Sequence, residues 1–348
     1  MRKIKAKIHL KSIKENALAF KTLTGKRLCA VVKADAYGHG AEEVALVLQG
    51  IVDCFAVALL SEAKAIKTYA CGKDVLILCP PIALLDAIEA VQNGFVCTVA
   101  GMTSARLLAQ ASEICKIPAR VHLKVNTGMN RYGMGVSELG RVCNFFKNTS
   151  LVKVEGLFSH LHEPFGISAD KQRERFLQAE RVSKRYFPNL TRHLSATAGA
   201  LLGENFAFDM VRVGIGLYGY LPSGAKKIIP LKKGMTVYAT AIGCRKYAYG
   251  GAGYGKELTE SERVNFLSVL RVGYADGFLR KRENGTAGCE RNANNLCMDA
   301  CIRTGRYKRG EEVPILTDAD ETARSSGTIA YEVLCAATRR AERIYLYD

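Results

Sequence analysis

The sequence has no long apolar run. No window approaches the roughly 18 consecutive apolar residues that a membrane-crossing helix needs. The nearest candidate, Val75 to Leu85, is short and is interrupted by Pro80 and Pro81. The basic start, MRKIKAKIHLKSIKEN, is not followed by the apolar core of a secretion signal, so a cytoplasmic protein with no membrane partner is expected. The 12 cysteines include no C-x-x-C pair; the closest spacing, Cys297 to Cys301, is C-x-x-x-C. Most lie in apolar runs such as Leu28-Cys29-Ala30 and Leu334-Cys335-Ala336. They read as reduced, buried small hydrophobes, and no metal site is expected. There is also no run of five basic residues, although Lys and Arg number 50 against 33 Asp and Glu, a net charge of +17. Charge dispersed in this way reads as a solvated basic surface that steers small anions, not as a nucleic-acid-binding face.

What is present is ordinary globular material. Of 348 residues, 48% are hydrophobic and 24% charged, which excludes a chain that is mainly disordered. Eight short apolar or β-branched runs occur between residues 28 and 217: Leu28–Val32, Cys54–Leu59, Asp74–Leu78, Phe95–Val99, Arg120–Val125, Val152–Phe158, Thr191–Leu194 and Met210–Leu217. Segments of helical periodicity separate them, among them Ala41–Leu48, Ser61–Tyr69, Ala83–Gln92 and Thr103–Ile114. Alternating strands and helices point to a parallel sheet, and eight units point to a closed (β/α)8 TIM-type barrel. A doubly wound open sheet is the alternative. Lys5–Leu10 reads as a strand and Ser12–Leu23 as a helix, with Ser12 and Glu15 spaced as a capping box. After about residue 222 turn residues crowd and the strand-like runs shorten. A mostly β C-terminal domain is therefore expected over residues 223–348, after a barrel over 1–222 whose first strand is free to pair with that domain.

In such a barrel, chemistry sits where strands end. The first run ends in Lys33, within AVVKADAYGHG. Burial lowers a lysine pKa and makes the amine a nucleophile toward an aldehyde; a lysine that merely reaches solvent from a strand end is the bland alternative. The fifth run leads into LKVNTGMNRYGMG, with Lys124 and Arg131. The sixth ends at Ser159 and His160, and the seventh at His193 to Thr197. The eighth, MVRVGIGLYG, puts Arg212 inside an apolar strand and follows it with Gly214 and Gly216, whose backbone N–H groups a ligand can approach. Lysine, arginine, histidine, hydroxyls and glycines on one rim suit an anionic, phosphorylated ligand beside a reactive lysine, as pyridoxal 5'-phosphate (PLP) requires.

These motifs resemble the bacterial alanine racemase family. AVVKADAYGHG is similar to that family's PLP-lysine segment, and LKVNTGMNRYGMG, VRVGIGLYG and RVGYADGFLR match further blocks in the family's order across essentially the whole chain. The resemblance implies a PLP-dependent isomerase that interconverts L- and D-alanine, works as a homodimer with active sites at the subunit interface, and supplies D-alanine for peptidoglycan. It implies Lys33 and Tyr274 as the two bases, the tyrosine reaching in from the partner. It gives Arg212 to the pyridine nitrogen, with His160 holding Arg212. Tyr37, Thr197, Gly214, Ile215 and Tyr331 would hold the phosphate. Arg131 and the backbone N–H of the partner's Met298 would bind the substrate carboxylate, and Lys124 matches a lysine that is carbamylated in some members. The chain departs from the family at Asn126, at Ala196-Thr197, around Pro164-Phe165 and at Asn294-Asn295. Those departures touch the entrance and surroundings of the site, not the two bases. The phenol of Tyr331 leaves room for a methyl group and so favours alanine over serine.

Overall fold

A computed structural model describes residues 4–226, 228–254, 265–279 and 296–348. Asn294 and Asn295 lie outside the described residues. The chain forms two compact units: Lys14–Ala34 with Ala41–Leu231, and Met1–Ile13 with Asp35–Gly40 and Lys232–Asp348.

The first unit is built on eight strands. The strand of the other unit, β1 (Lys5–His9), precedes them in the chain. The eight are β2 (Arg27–Val31), β3 (Cys54–Val57), β4 (Asp74–Ile77), β5 (Val96–Val99), β6 (Ala119–Lys124), β7 (Val152–Phe158), β8 (Thr191–His193) and β9 (Met210–Val213). All pair in parallel, in the order β8-β7-β6-β5-β4-β3-β2-β9. Parallel neighbours need long crossovers, and helices at 41–48, 60–66, 84–92, 102–115, 136–147 and 168–184 supply them. The two end strands meet: Asp209 N–H donates to Arg192 O at 3.1 Å and Arg212 N–H to Ser195 O at 2.9 Å. The sheet thereby rolls into a nearly closed (β/α)8 barrel.

The polar side chains of β6 lie two residues apart, as a strand with one face turned inward requires. Arg120, at its start, binds Asp74 of β4 at 2.8 Å through Nη2 and Glu155 of β7 at 2.9 Å through Nε. His122 bonds across the barrel to His193 of β8. Lys124, at its end, lies over the Phe158 ring of β7. One strand therefore carries an ion-paired base, a buried imidazole and a buried amine, in order, toward the end where barrel chemistry is expected.

The second unit holds β1, β10 (Met235–Lys246), β11 (Phe266–Leu270), β12 (Cys301–Thr304), β13 (Glu312–Leu316) and β14 (Glu342–Leu346). The strand order is β12-β11-β10-β1-β14, with β13 also on β10. β1 pairs antiparallel with β10 and parallel with β14. Two helices, Ala319–Ser326 and Ala330–Ala337, join this sheet.

Three local expectations fail. The helix expected from Ser12 begins at Leu10, directly from β1, so Ser12 sits inside it and caps nothing. The last barrel run stops as a strand at Val213, because Gly214 turns away (φ −113°, ψ −93°) and Ile215–Tyr218 winds into a 3-10 turn. The second run likewise stops as a strand at Val57, where Leu59 opens the next helix.

Candidate active site

Lys33 follows β2 and opens a left-handed turn. Ala34, Asp35, Ala36 and Tyr37 have φ between +52° and +54°. Left-handed backbone costs L-residues about 1–2 kcal/mol each, so a run of non-glycine residues persists only when surrounding bonds hold it. The holding bonds are present. Glu62 Oε1 accepts from Ala34 N–H at 2.7 Å. Asp35 O accepts from Gly40 N–H, and Ala36 O from His39 N–H, both at 3.0 Å. The Arg343 guanidinium pairs with Asp35 at 2.5 Å and donates to Gly38 O at 2.9 Å.

On β9, the strand paired with β2, Arg212 is 3% exposed. Its Nη1 donates to His193 Nδ1 at 2.8 Å and His193 O at 2.7 Å; its Nη2 donates to Ser159 O at 2.6 Å and Leu194 O at 3.2 Å. The four Nη hydrogens are thus engaged, and Nε–H is the donor left over among the described residues. The resemblance gave the role of holding Arg212 to His160; the ring bonded to the guanidinium is instead His193, because β8 neighbours β9 and places that ring at hydrogen-bond distance. Burial lowers the Arg212 pKa to about 10, and no carboxylate is among the groups that raise it. A buried cation without a carboxylate partner is costly unless an anion or an acceptor meets it.

Three more groups share this positive field. Lys124, also 3% exposed, has its Nζ 5.0 Å from the Phe158 ring centroid and 5.8 Å from that of Tyr132. Burial first, then the charges of Arg212 and Arg131, lowers its pKa to about 7. Arg131 stacks over Tyr132 at 5.1 Å. The His160 pKa is pushed well down by burial and by the charges of Arg212, Lys124, Arg131 and Lys33. The structure therefore brings Lys33, Lys124, Arg131 and Arg212 within electrostatic reach of His160.

After β9 the backbone forms an anion-ready corner. Thr197 Oγ1 accepts from Gly214 N–H and Gly216 N–H, each at 3.3 Å, and retains its own O–H to donate. A Cβ on Gly216 would lie 2.5 Å from the Phe20 ring and 2.9 Å from Thr197 Cγ2, so the corner accepts only glycine there. Asn126, one of the departures, has a structural use: its Oδ1 accepts from Gly128 N–H and Asn130 N–H, both at 3.1 Å, and shapes the loop that carries Arg131.

In the second unit, Tyr37 and Tyr331 lie with ring centroids 5.9 Å apart. Burial raises both phenol pKa values, that of Tyr331 to about 12. Tyr274 is 40% exposed on a short 3-10 turn. Its N–H donates to Cys297 O at 3.0 Å, and Ala275 N–H donates to Met298 O at 3.0 Å, which brings Tyr274 and Met298 side by side. The approach requires Gly273, whose added Cβ would lie 2.0 Å from Met298 O. Arg340 ties Asp276 to Asp299 at 3.3 and 3.1 Å. Among the described residues no group of three or more metal-capable side chains occurs, and no helix is long and apolar enough to cross a membrane.

Sequence reasoning gave no role to His122, Phe158 or Tyr132, and valued the His193 segment only for its hydroxyls. The usable signal was polar residues at alternate positions, 120, 122 and 124, in an otherwise apolar strand.

Residues 8–222 match the family described as alanine racemase, N-terminal domain, and residues 234–345 the alanine racemase, C-terminal domain. The chain is 33% identical to alanine racemase 1 of Bacillus subtilis strain 168, over 98% of this chain and 92% of that protein. Among solved structures it is similar to the biosynthetic alanine racemase of Pseudomonas aeruginosa, at TM-score 0.87 and 28% identity with all of both chains covered. It is also similar to alanine racemase of Clostridium difficile 630, at TM-score 0.88 and 25% identity over 100% of this chain and 97% of that one.

Proposed function

The chain belongs to the alanine racemase family, and from that premise we propose that it interconverts L- and D-alanine with PLP bound at the barrel mouth. We also propose that it acts as a cytoplasmic homodimer whose D-alanine goes to peptidoglycan. One observation carries the cofactor reading: a buried arginine, free of carboxylates, with its Nε–H left to donate. The donor set fits PLP. In the corner of Thr197, Gly214, Ile215 and Gly216, the Gly214 and Gly216 N–H groups orient the Thr197 hydroxyl, which with the Ile215 N–H is offered to a phosphate. Lys33 supplies the amine, Arg212 a donor for the ring nitrogen, and Tyr37 and Tyr331 further phenols for the phosphate. When bound, PLP supplies an aldehyde carbon for the substrate amine and a ring that spreads the charge left at the substrate Cα.

The residues of the chain do the rest. Racemisation removes the α-proton and returns one to the other face. Lys33 holds the proton on one face, and the partner subunit's Tyr274 on the other. Arg131 and the backbone N–H of the partner subunit's Met298 bind the substrate carboxylate, the planar guanidinium matching its two oxygens. Arg212, always a donor, gives its hydrogen bond to the ring nitrogen without giving up a proton. Arg212 would thereby leave that nitrogen unprotonated and restrain side reactions such as transamination. Lys124, with its pKa near 7, is in large part a neutral amine at neutral pH. Carbon dioxide adds to its Nζ, a proton leaves to solvent, and the carbamate formed places a negative charge between the fields of Arg131 and Arg212.

The test is optical. Purified protein with PLP, given L-alanine, is followed by circular dichroism. Decay of the signal to zero, with no carbon dioxide or keto acid formed, is the expected result. Loss of signal with release of carbon dioxide would replace racemisation by decarboxylation.

A further inference from the structure

Arg212 has a hydrogen-bonded support that runs into the barrel. A guanidinium only donates. The contact of its Nη1 with His193 Nδ1 at 2.8 Å therefore fixes that nitrogen as a lone pair. The proton of neutral His193 is then on Nε2. That nitrogen faces His122 Nδ1 at 2.9 Å, so His122 Nδ1 must accept and its own proton sits on its Nε2. Both rings are buried, and burial with neighbouring positive charge pushes both toward the neutral form. His193 is further fixed by the Phe158 ring, stacked at 4.8 Å and 3°.

A second observation shows that space is kept for the His122 ring. Gly156 lies opposite it on β7. A Cβ added there would fall 2.7 Å from His122 Cγ and Cδ2. Its φ is not positive, and although the β6–β7 ladder shifts register here, the lack of a side chain is what clears room for the imidazole.

We infer that His122 is a positioning residue for the racemase reaction: by accepting from His193 Nε2–H it holds the His193 ring in line with Arg212 and thereby sets the aim of that guanidinium. Remove that acceptor and His193 has a buried N–H with nowhere to donate. The ring relieves this by turning toward another acceptor, since a proton moved to Nδ1 would face the Arg212 donor. Nδ1 then leaves the line of Nη1 and the guanidinium shifts with it. Under the proposed function Arg212 is the group that keeps the ring nitrogen of PLP unprotonated, so the inference rests on that reading for its consequence. The tautomers themselves follow from the protein alone.

The experiment uses the holoenzyme with 15N-labelled histidine, of which the chain has six residues. The ring nitrogens of His193 and His122, assigned by single substitution, should each show a lone pair at Nδ1 and a proton at Nε2. In His122→Leu the His193 ring-nitrogen signals should move, that of Nε2 most, because its N–H has lost its acceptor. Cofactor lost to transamination per racemisation turnover should rise about tenfold, the scale of one unmet buried hydrogen bond. His122→Asn, whose Oδ1 takes the place of Nδ1 as acceptor, should restore both readouts. Gly156→Ala should reproduce the His122→Leu signature by displacing the ring, and with His122→Asn it decides the matter if His122→Leu does not fold. A protonated Nδ1 on wild-type His193 would overturn the inference. So would a His122→Leu enzyme with unchanged His193 shifts and an unchanged side-reaction ratio. A wild-type protein that does not racemise alanine overturns the functional reading, while the nitrogen shifts still judge the relay.

Discussion

Replacing Lys124 with methionine should stabilise the protein near neutral pH, and the gain should fade as the solution becomes alkaline. The Lys124 pKa falls from its ordinary 10.5 to about 7, through burial first and the charges of Arg212 and Arg131 second. Between those two values the unfolded chain binds a proton that the folded chain refuses. Stability therefore rises with pH across that window, and the penalty is fully present below about 7. At about 1.4 kcal/mol per tenfold, the whole penalty is about 5 kcal/mol, falling to about 3 kcal/mol at pH 8 and about 1 kcal/mol at pH 10. Methionine has a similar volume and no charge, so it escapes this term. Above pH 7 the folded Lys124 is mainly the neutral amine, so no ammonium–ring contact with Phe158 or Tyr132 is lost with it. The expected net gain is about 3 kcal/mol at pH 8, falling to about 1 kcal/mol at pH 10. The assay is urea unfolding at fixed protein concentration, from pH 7 to 10, in buffer stripped of carbon dioxide. A difference between the proteins that does not vary with pH would refute the reasoning, as would a loss that deepens toward pH 7. Carbon dioxide restored to the wild type, but not to Lys124→Met, should narrow the gap and add the mass of one carbon dioxide to the protein.

Other outcomes follow from single contacts. Tyr331→Asn should raise serine turnover relative to alanine, since it removes the phenol that limits side-chain size; an unchanged ratio of the two kcat/KM values would count against that assignment. Gly216→Ala should weaken PLP binding about tenfold, because its Cβ meets Phe20 at 2.5 Å and pushes the N–H groups away from Thr197; a titration of apoprotein with PLP reads this directly. Arg212→Glu should protonate the ring nitrogen and produce a stable long-wavelength absorbance with alanine. Absence of that band, with side reactions still rare, would show that Arg212 does not set the protonation of the ring.

Much of this fold was legible in the sequence, for reasons that lie in the strands. Apolar and β-branched runs such as that of Val121, Leu123 and Val125, set between helical periods, give eight units, and eight strands follow at those places. The limits were conformational. Nothing in Lys33-Ala34-Asp35-Ala36-Tyr37 announces four left-handed residues, because no glycine stands among them and the turn is held by bonds from distant residues such as Glu62 and Arg343. The 3-10 turn after Val213 was hidden because Ile215 and Leu217 have the composition of a strand; Gly214 and Gly216 were the available signal. In the second unit, Asp318 caps the helix Ala319–Ser326 through Asp320 N–H at 2.8 Å, a start signal that short β-like runs obscured. The bond from Arg212 to His193 rather than His160 depends on which ring turns toward the neighbouring strand, and residue spacing along the chain does not encode that choice.

The most direct test of the two-base assignment is α-proton exchange in deuterium oxide, measured for each enantiomer of alanine separately. With Tyr274→Phe, exchange of one enantiomer should persist while that of the other and racemisation fall away; a Lys33→Ala enzyme resupplied with a small amine should show the opposite preference. Equal loss of both exchanges in Tyr274→Phe, with PLP still bound, would contradict the account.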